Sequence, residues 1–150
     1  MGPYLDGRHG NPSSLHQEGR EARNAVEEAR AQLAALIGAD PSEIIFTASG
    51  TEADNLALLG AIRASGGHRH LITSAIEHAA VLETCHFLEC TGTAVTILPV
   101  NGDGLVDPGS LQSALRDQTR LVSIMTANNV VGTLQPIAFS NTNMVGSESR

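Results

Sequence analysis

Lysine is absent from the 150-residue chain. Its nine cationic side chains are all arginine: Arg8, Arg20, Arg23, Arg30, Arg63, Arg69, Arg116, Arg120 and Arg150. This excludes an amine nucleophile, imine formation on a side chain and a Walker-type phosphate lysine. Tryptophan is also missing and aromatics make up 3%, so the core must be built from Ala, Leu, Ile and Val. Only two cysteines occur, Cys85 and Cys90; they make no disulfide framework and fit a reducing cytosol. Positive charge is outnumbered, with sixteen acidic residues and a net charge of −7, which argues against a nucleic-acid or anionic-membrane partner. No apolar run approaches the roughly 20 residues of a membrane span. The opening residues Met1–Asp6 lack the basic and apolar regions of a signal peptide, and Asp6 stands where a myristoylation signal needs Ser or Thr.

Short apolar strands alternate with helices along what is present. Ser14, with Gln17 three residues on, predicts a capping box. The apolar residues Ala22, Val26, Ala29, Leu33, Leu36 and Ile37 then fall on one helical face, and Gly38 and Pro41 end the helix. Glu43–Thr47 reads as a strand, and a second helix opens at Glu52. Leu71–Ser74 reads as a strand, Ala79 to about Glu89 as a helix, and Thr93–Val100 as a strand. After a turn at Asn101–Gly104, Asp107 caps a short helix over Leu111–Leu115, and Thr119–Met125 is a fourth strand. The alternation predicts an α/β fold with a mostly parallel sheet flanked by helices. Residues 138–150 are polar and aperiodic and read as a disordered tail. The last strand then has nothing after it to cover or extend the sheet, so the domain reads as cut off.

Three places could carry chemistry. In Phe46–Asn55 a turn of small residues opens a helix. Free N–H groups there, with the hydroxyls of Ser49 and Thr51 and close approach at Gly50, suit a phosphate; the same residues also serve as an ordinary capping turn. Glu77-His78 follows a strand, where open α/β sheets bind ligands. His78 can stack on a planar ring or move protons, or it can be a loop histidine paired with Glu77. Ala127-Asn-Asn-Val-Val-Gly132 also follows a strand and offers two amides to a polar ligand, though such turns form for local reasons too. His68 and His70 read as surface residues rather than metal ligands. Cys85 and Cys90 lie about 140° apart around a helix and read as packing thiols. The Arg/Glu face of the first helix reads as solvated.

In order, Tyr4-Leu-Asp6, Gly10-Asn-Pro-Ser-Ser-Leu-His16, Ile45-Phe-Thr-Ala-Ser-Gly-Thr-Glu-Ala-Asp-Asn55, Glu77-His78, Met125-Thr-Ala-Asn-Asn129 and Gly132-Thr-Leu-Gln-Pro136 resemble the N-terminal part of cysteine desulfurases. These are NifS/IscS-like members of the class V aminotransferase group, related to selenocysteine lyases. The resemblance runs from Tyr4 to about Ile137. It implies part of a fold-type I large domain over residues 1–137, a homodimer, and a pyridoxal 5′-phosphate cofactor. The implied reaction takes sulfur from L-cysteine, leaving L-alanine and an enzyme persulfide for iron-sulfur cluster assembly in the cytoplasm. By resemblance, Gly50 and Thr51 hold the cofactor phosphate, His78 lies over the pyridine ring and moves protons, and Asn129 bonds the ring oxygen.

The sequence also departs from that pattern. A longer stretch separates Asp6 from Gly10 in the family, and Val130 stands where the family usually has Glu. From Ala138 the resemblance stops, before the family's cofactor-binding Lys, the Asp partner of the pyridine nitrogen and the catalytic Cys. The expectation is therefore a truncated chain, catalytically incompetent alone and binding cofactor at most weakly and non-covalently. Two alternatives remain: a non-catalytic fragment that binds a full-length desulfurase subunit or other partner, or a truncated gene product without independent function.

Overall fold

The computed structural model describes residues 10–66 and 70–136. The chain divides into two units, the first ending at Phe46 and the second beginning at Thr47.

In the first unit, helix α1 spans Gln17–Ile37. Its cap is His16, whose Nδ1 accepts from the Gly19 N–H at 3.2 Å, rather than the expected Ser14. The reason is a close crossing that holds Ser14 in a preceding turn, where its N–H bonds the Asn11 carbonyl at 2.9 Å. A Cβ on Gly19 would stand 2.6 Å from the Ser14 carbonyl oxygen, so only glycine lets the turn lie this close. Gly38 ends α1 as expected, in the left-handed conformation at φ 70°.

The arginines of α1 do more than solvate it. Arg20 donates to the Leu15 carbonyl, Arg23 to the Pro12 carbonyl and Arg30 to the Ile44 carbonyl. The Arg30 guanidinium also lies 5.0 Å from the Phe46 ring centroid. The predicted apolar face is only partly buried: Ala22 is covered, but Leu36 and Ile37 remain exposed. Among its described residues this unit contains no second long element to lie over them.

The predicted strand Glu43–Thr47 is not formed. Pro41–Glu43 is a 3-10 turn closed by a capping box between Asp40 and Glu43, and residues 44–47 pair with no described strand. An extended segment becomes a strand only when a ladder partner takes its N–H and C=O groups.

The second unit contains α2 (Gly50–Ala64), β1 (His70–Ser74), α3 (Ala79–Cys90), β2 (Ala94–Leu98), α4 (Pro108–Ala114) and β3 (Thr119–Ser123). The three strands form a parallel sheet in the order β2-β1-β3. β1 is central and buried along its whole length, the condition that permits an apolar run without polar alternation. Successive side chains still point to opposite faces. Leu71 packs with Leu58 and Ile62 of α2 and Val81, Cys85 and Leu88 of α3. Ile72 packs on the other face with Leu98, Val106 and Leu111.

His70, expected at the surface, is fully buried. It spans the sheet: Nδ1 lies 2.8 Å from the Thr119 hydroxyl on β3 and Nε2 lies 2.8 Å from the Thr96 hydroxyl on β2. Two hydroxyl partners are what allow an imidazole to replace an apolar side chain there. Past β2, the Asn101–Gly104 turn is closed by the Asn101 carboxamide, which accepts from the N–H groups of Asp103 and Leu105. Buried Gln135 holds this turn, accepting from the Val106 N–H and donating to the Gly104 carbonyl. His68 and the tail 138–150 lie outside the described residues.

Candidate functional site at the carboxyl edge of the sheet

Because β1 and β3 are parallel neighbours, the loops that leave them emerge at the same edge, the usual ligand edge of such sheets. Two side chains join these loops. The Glu77 carboxylate, almost fully buried, accepts from the Ser74 hydroxyl at 2.9 Å and from the Met125 N–H at 2.6 Å. The Asn128 carboxamide donates to the Ile76 carbonyl at 2.9 Å and accepts from the N–H groups of Val130 and Val131. Sequence reasoning assigned neither role. Glu77 is turned inward, so it is not the partner of His78, and Asn128 spends its amide inside the protein. Of the Asn pair, only exposed Asn129 has a side chain without a partner among the described residues.

His78 caps α3, its Nδ1 accepting from the Ala80 N–H at 3.1 Å. An Nδ1 that accepts leaves the neutral ring's proton on Nε2. The imidazole is exposed and lines an open groove of about 470 Å³ between α2 and α3, together with Thr51, Asn55, Glu83, Thr84 and Phe87.

At the start of α2, Ser49 accepts from the Glu52 N–H at 3.2 Å, and the Glu52 carboxylate accepts from the Ala48 N–H at 2.7 Å. Ser49 is thus the N-cap, and Glu52 reaches back one residue past it, to the N–H of Ala48 rather than to that of the cap itself. The Gly50 and Thr51 N–H groups have no partner among the described residues, since the first residues of a helix have no intrahelical acceptor. A Cβ on Gly50 would meet nothing within 4 Å. Both the capping turn and a pair of open donors are therefore present. Thr51 and His78 share the groove; Asn129 sits on the β3 loop, which Glu77 and Asn128 fasten beside the His78 loop.

Cys85 is buried under this edge. Burial first, and the nearby Glu77 charge second, push its thiol pKa up to about 11, which keeps it protonated and unreactive. Cys90 is exposed on the same helix. No group of three or more His, Cys, Asp or Glu side chains is arranged to hold a metal among the described residues. No described helix is long and apolar enough to cross a membrane.

The aminotransferase class-V family model matches residues 1–142. The cysteine desulfurase IscS of Dictyoglomus turgidum is 54% identical over 138 residues, covering 91% of this chain and 35% of that protein. A solved NifS-like protein superposes with a TM-score of 0.83 at 40% identity, covering 92% of this chain and 38% of the other. The structure of SspA in complex with cysteine gives a TM-score of 0.82 at 42% identity, covering 93% and 41%. The chain thus spans about a third of the length of the curated relatives it matches. Its fold is the part of the fold-type I architecture that these NifS-like structures share with it. The chain belongs to the aminotransferase class-V family and is homologous over nine-tenths of its length to that family's cysteine desulfurases.

Proposed function

We propose that this chain carries the phosphate-binding and ring-facing part of a pyridoxal 5′-phosphate site built for L-cysteine desulfuration. The observation that supports it is the groove shared by Thr51 and His78, with unpaired backbone donors at one end and an imidazole at the other. The residues present suit the cofactor's non-covalent contacts. Gly50 and Thr51 would donate N–H groups to its phosphate at the positive end of α2. His78 would face the ring with its Nε2–H, and the Asn129 amide would donate to the ring oxygen. When bound, pyridoxal phosphate supplies an electron sink for an amino acid whose α-proton has been removed.

The same residues set the limit of the chemistry. With no lysine among the 150 residues, the chain has no side-chain amine to hold the cofactor covalently or to take the α-proton. Cys85 is a buried packing thiol and cannot accept sulfur. The chain alone is therefore catalytically incompetent and binds the cofactor weakly. The complete site of which these residues form a part would act on L-cysteine or selenocysteine in the cytoplasm, in sulfur supply for iron-sulfur clusters. Titration of the purified chain with pyridoxal phosphate, followed by ³¹P and ¹H–¹⁵N NMR, tests the reading. Saturable shifts at Gly50, Thr51 and His78 support it, and a flat titration at all three overturns it. Incubation with cofactor and L-cysteine should yield no alanine; turnover would overturn the incompetence.

A further inference from the structure

We infer that Asn55 and Thr84 form a positioning clasp that sets the span between the phosphate end and the imidazole end of the groove. The inference rests on the cofactor reading above but concerns two residues that reading does not use. Asn55 lies one turn into α2, and its Nδ2 donates to the Thr51 carbonyl at 2.8 Å. Its Oδ1 accepts from the Thr84 hydroxyl of α3 at 2.7 Å. The Thr84 oxygen is also 2.8 Å from the Ala80 carbonyl, so its single proton is shared between two acceptors. Ala80 is the residue whose N–H is capped by His78.

The bonds thus run without a break from Thr51 through Asn55 and Thr84 to Ala80 and His78. Two helix starts from separate parts of the chain are fixed against each other by side chains whose polar atoms are already committed. Thr84 is buried, so its hydroxyl has no solvent to fall back on. Apolar packing of Leu58 and Ile62 against Val81, Cys85 and Leu88 holds the same helices further along, but packing alone lets helices slide. The clasp fixes the register at the groove.

A ligand that touches both ends must feel this span, and a ligand that touches one end must not. The test compares the full chain with Thr84→Val, which keeps the volume, and Thr84→Ser, which keeps the hydroxyl. The probes are pyridoxal phosphate and inorganic phosphate. Thr84→Val should weaken pyridoxal phosphate about tenfold, the size of one lost buried hydrogen bond, and leave inorganic phosphate within about twofold. Thr84→Ser, which keeps the hydroxyl, should bind pyridoxal phosphate close to the parent affinity. Equal loss of both probes, or no loss of either, overturns the clasp. A ligand-free readout separates this from the cofactor reading: in ¹H–¹⁵N spectra Thr84→Val should move the amides of Gly50 and Thr51 as well as Ala80. Shifts confined to α3 overturn the clasp, whereas a flat cofactor titration of the parent chain overturns only the cofactor reading.

Discussion

The Glu77 carboxylate accepts a hydrogen bond from the Met125 N–H at 2.6 Å, tying the loop after β1 to the loop after β3. The same oxygen takes the Ser74 hydroxyl. Glu77→Ala would strand both donors in a nearly dry place, at a cost of about 2–3 kcal/mol. Glu77→Gln keeps an acceptor and loses only the charge, about 1 kcal/mol. Urea midpoints of the two variants check this ordering; equal midpoints would show that the bond does not hold the loops.

Stability should fall in acid through His70. Burial first, and the Arg116 charge second, hold its pKa below the ordinary 6.5 in the folded protein. The unfolded chain therefore takes up the proton first as pH drops. The folded state has its full stability above the ordinary value and loses it as pH falls below 6.5 toward the depressed folded value. Thermal melts between pH 8 and pH 5 read this, and His70→Leu should flatten the part of the slope that belongs to the sheet. A melting temperature independent of pH in the parent chain would contradict it.

The two thiols should separate cleanly. A thiol reagent at pH 8 should modify exposed Cys90 at once and buried Cys85 only after denaturation. Cys90→Ser should remove the fast phase entirely. Rapid reaction of two thiols in the native chain would show that α3 is not packed on the sheet.

At the start of α2, Ser49→Ala removes the acceptor of the Glu52 N–H and should cost about 1 kcal/mol, whereas Ser49→Gly should cost only a few tenths. Chemical denaturation distinguishes them. Loss of stability alone marks a cap, and added loss of phosphate binding marks the second role of the same turn.

What the sequence made legible was local. Helix ends announced themselves: Gly38 stops α1 in the left-handed region, Asp107 caps α4, and Ser49 with Glu52 frames α2. The β-α alternation from Leu71 onward carried the parallel sheet. What it hid depended on distant partners. His70 looks like half of a surface pair until Thr96 and Thr119 arrive from two other strands. Glu77 looks like the partner of His78 until Met125 claims it. Ile44–Thr47 has every strand-forming residue and no strand, because pairing is a property of neighbours. At the site, the open donors of Gly50 and Thr51 could be read from the turn, but the inward use of Asn128 and the outward freedom of Asn129 could not.

The strand order also dictates a sequence of events in time. Among the described strands β1 comes earliest in the sequence yet lies in the middle, and both of its flanks come later in the chain. It must wait for β2 on one side and then for β3, whose partner residues lie about fifty positions downstream. Until then its backbone groups and the Leu71 and Ile72 side chains are open to any other chain. Parallel pairing of this kind is slow to close, so the most protected of the described strands is the most exposed of them while the chain is being made.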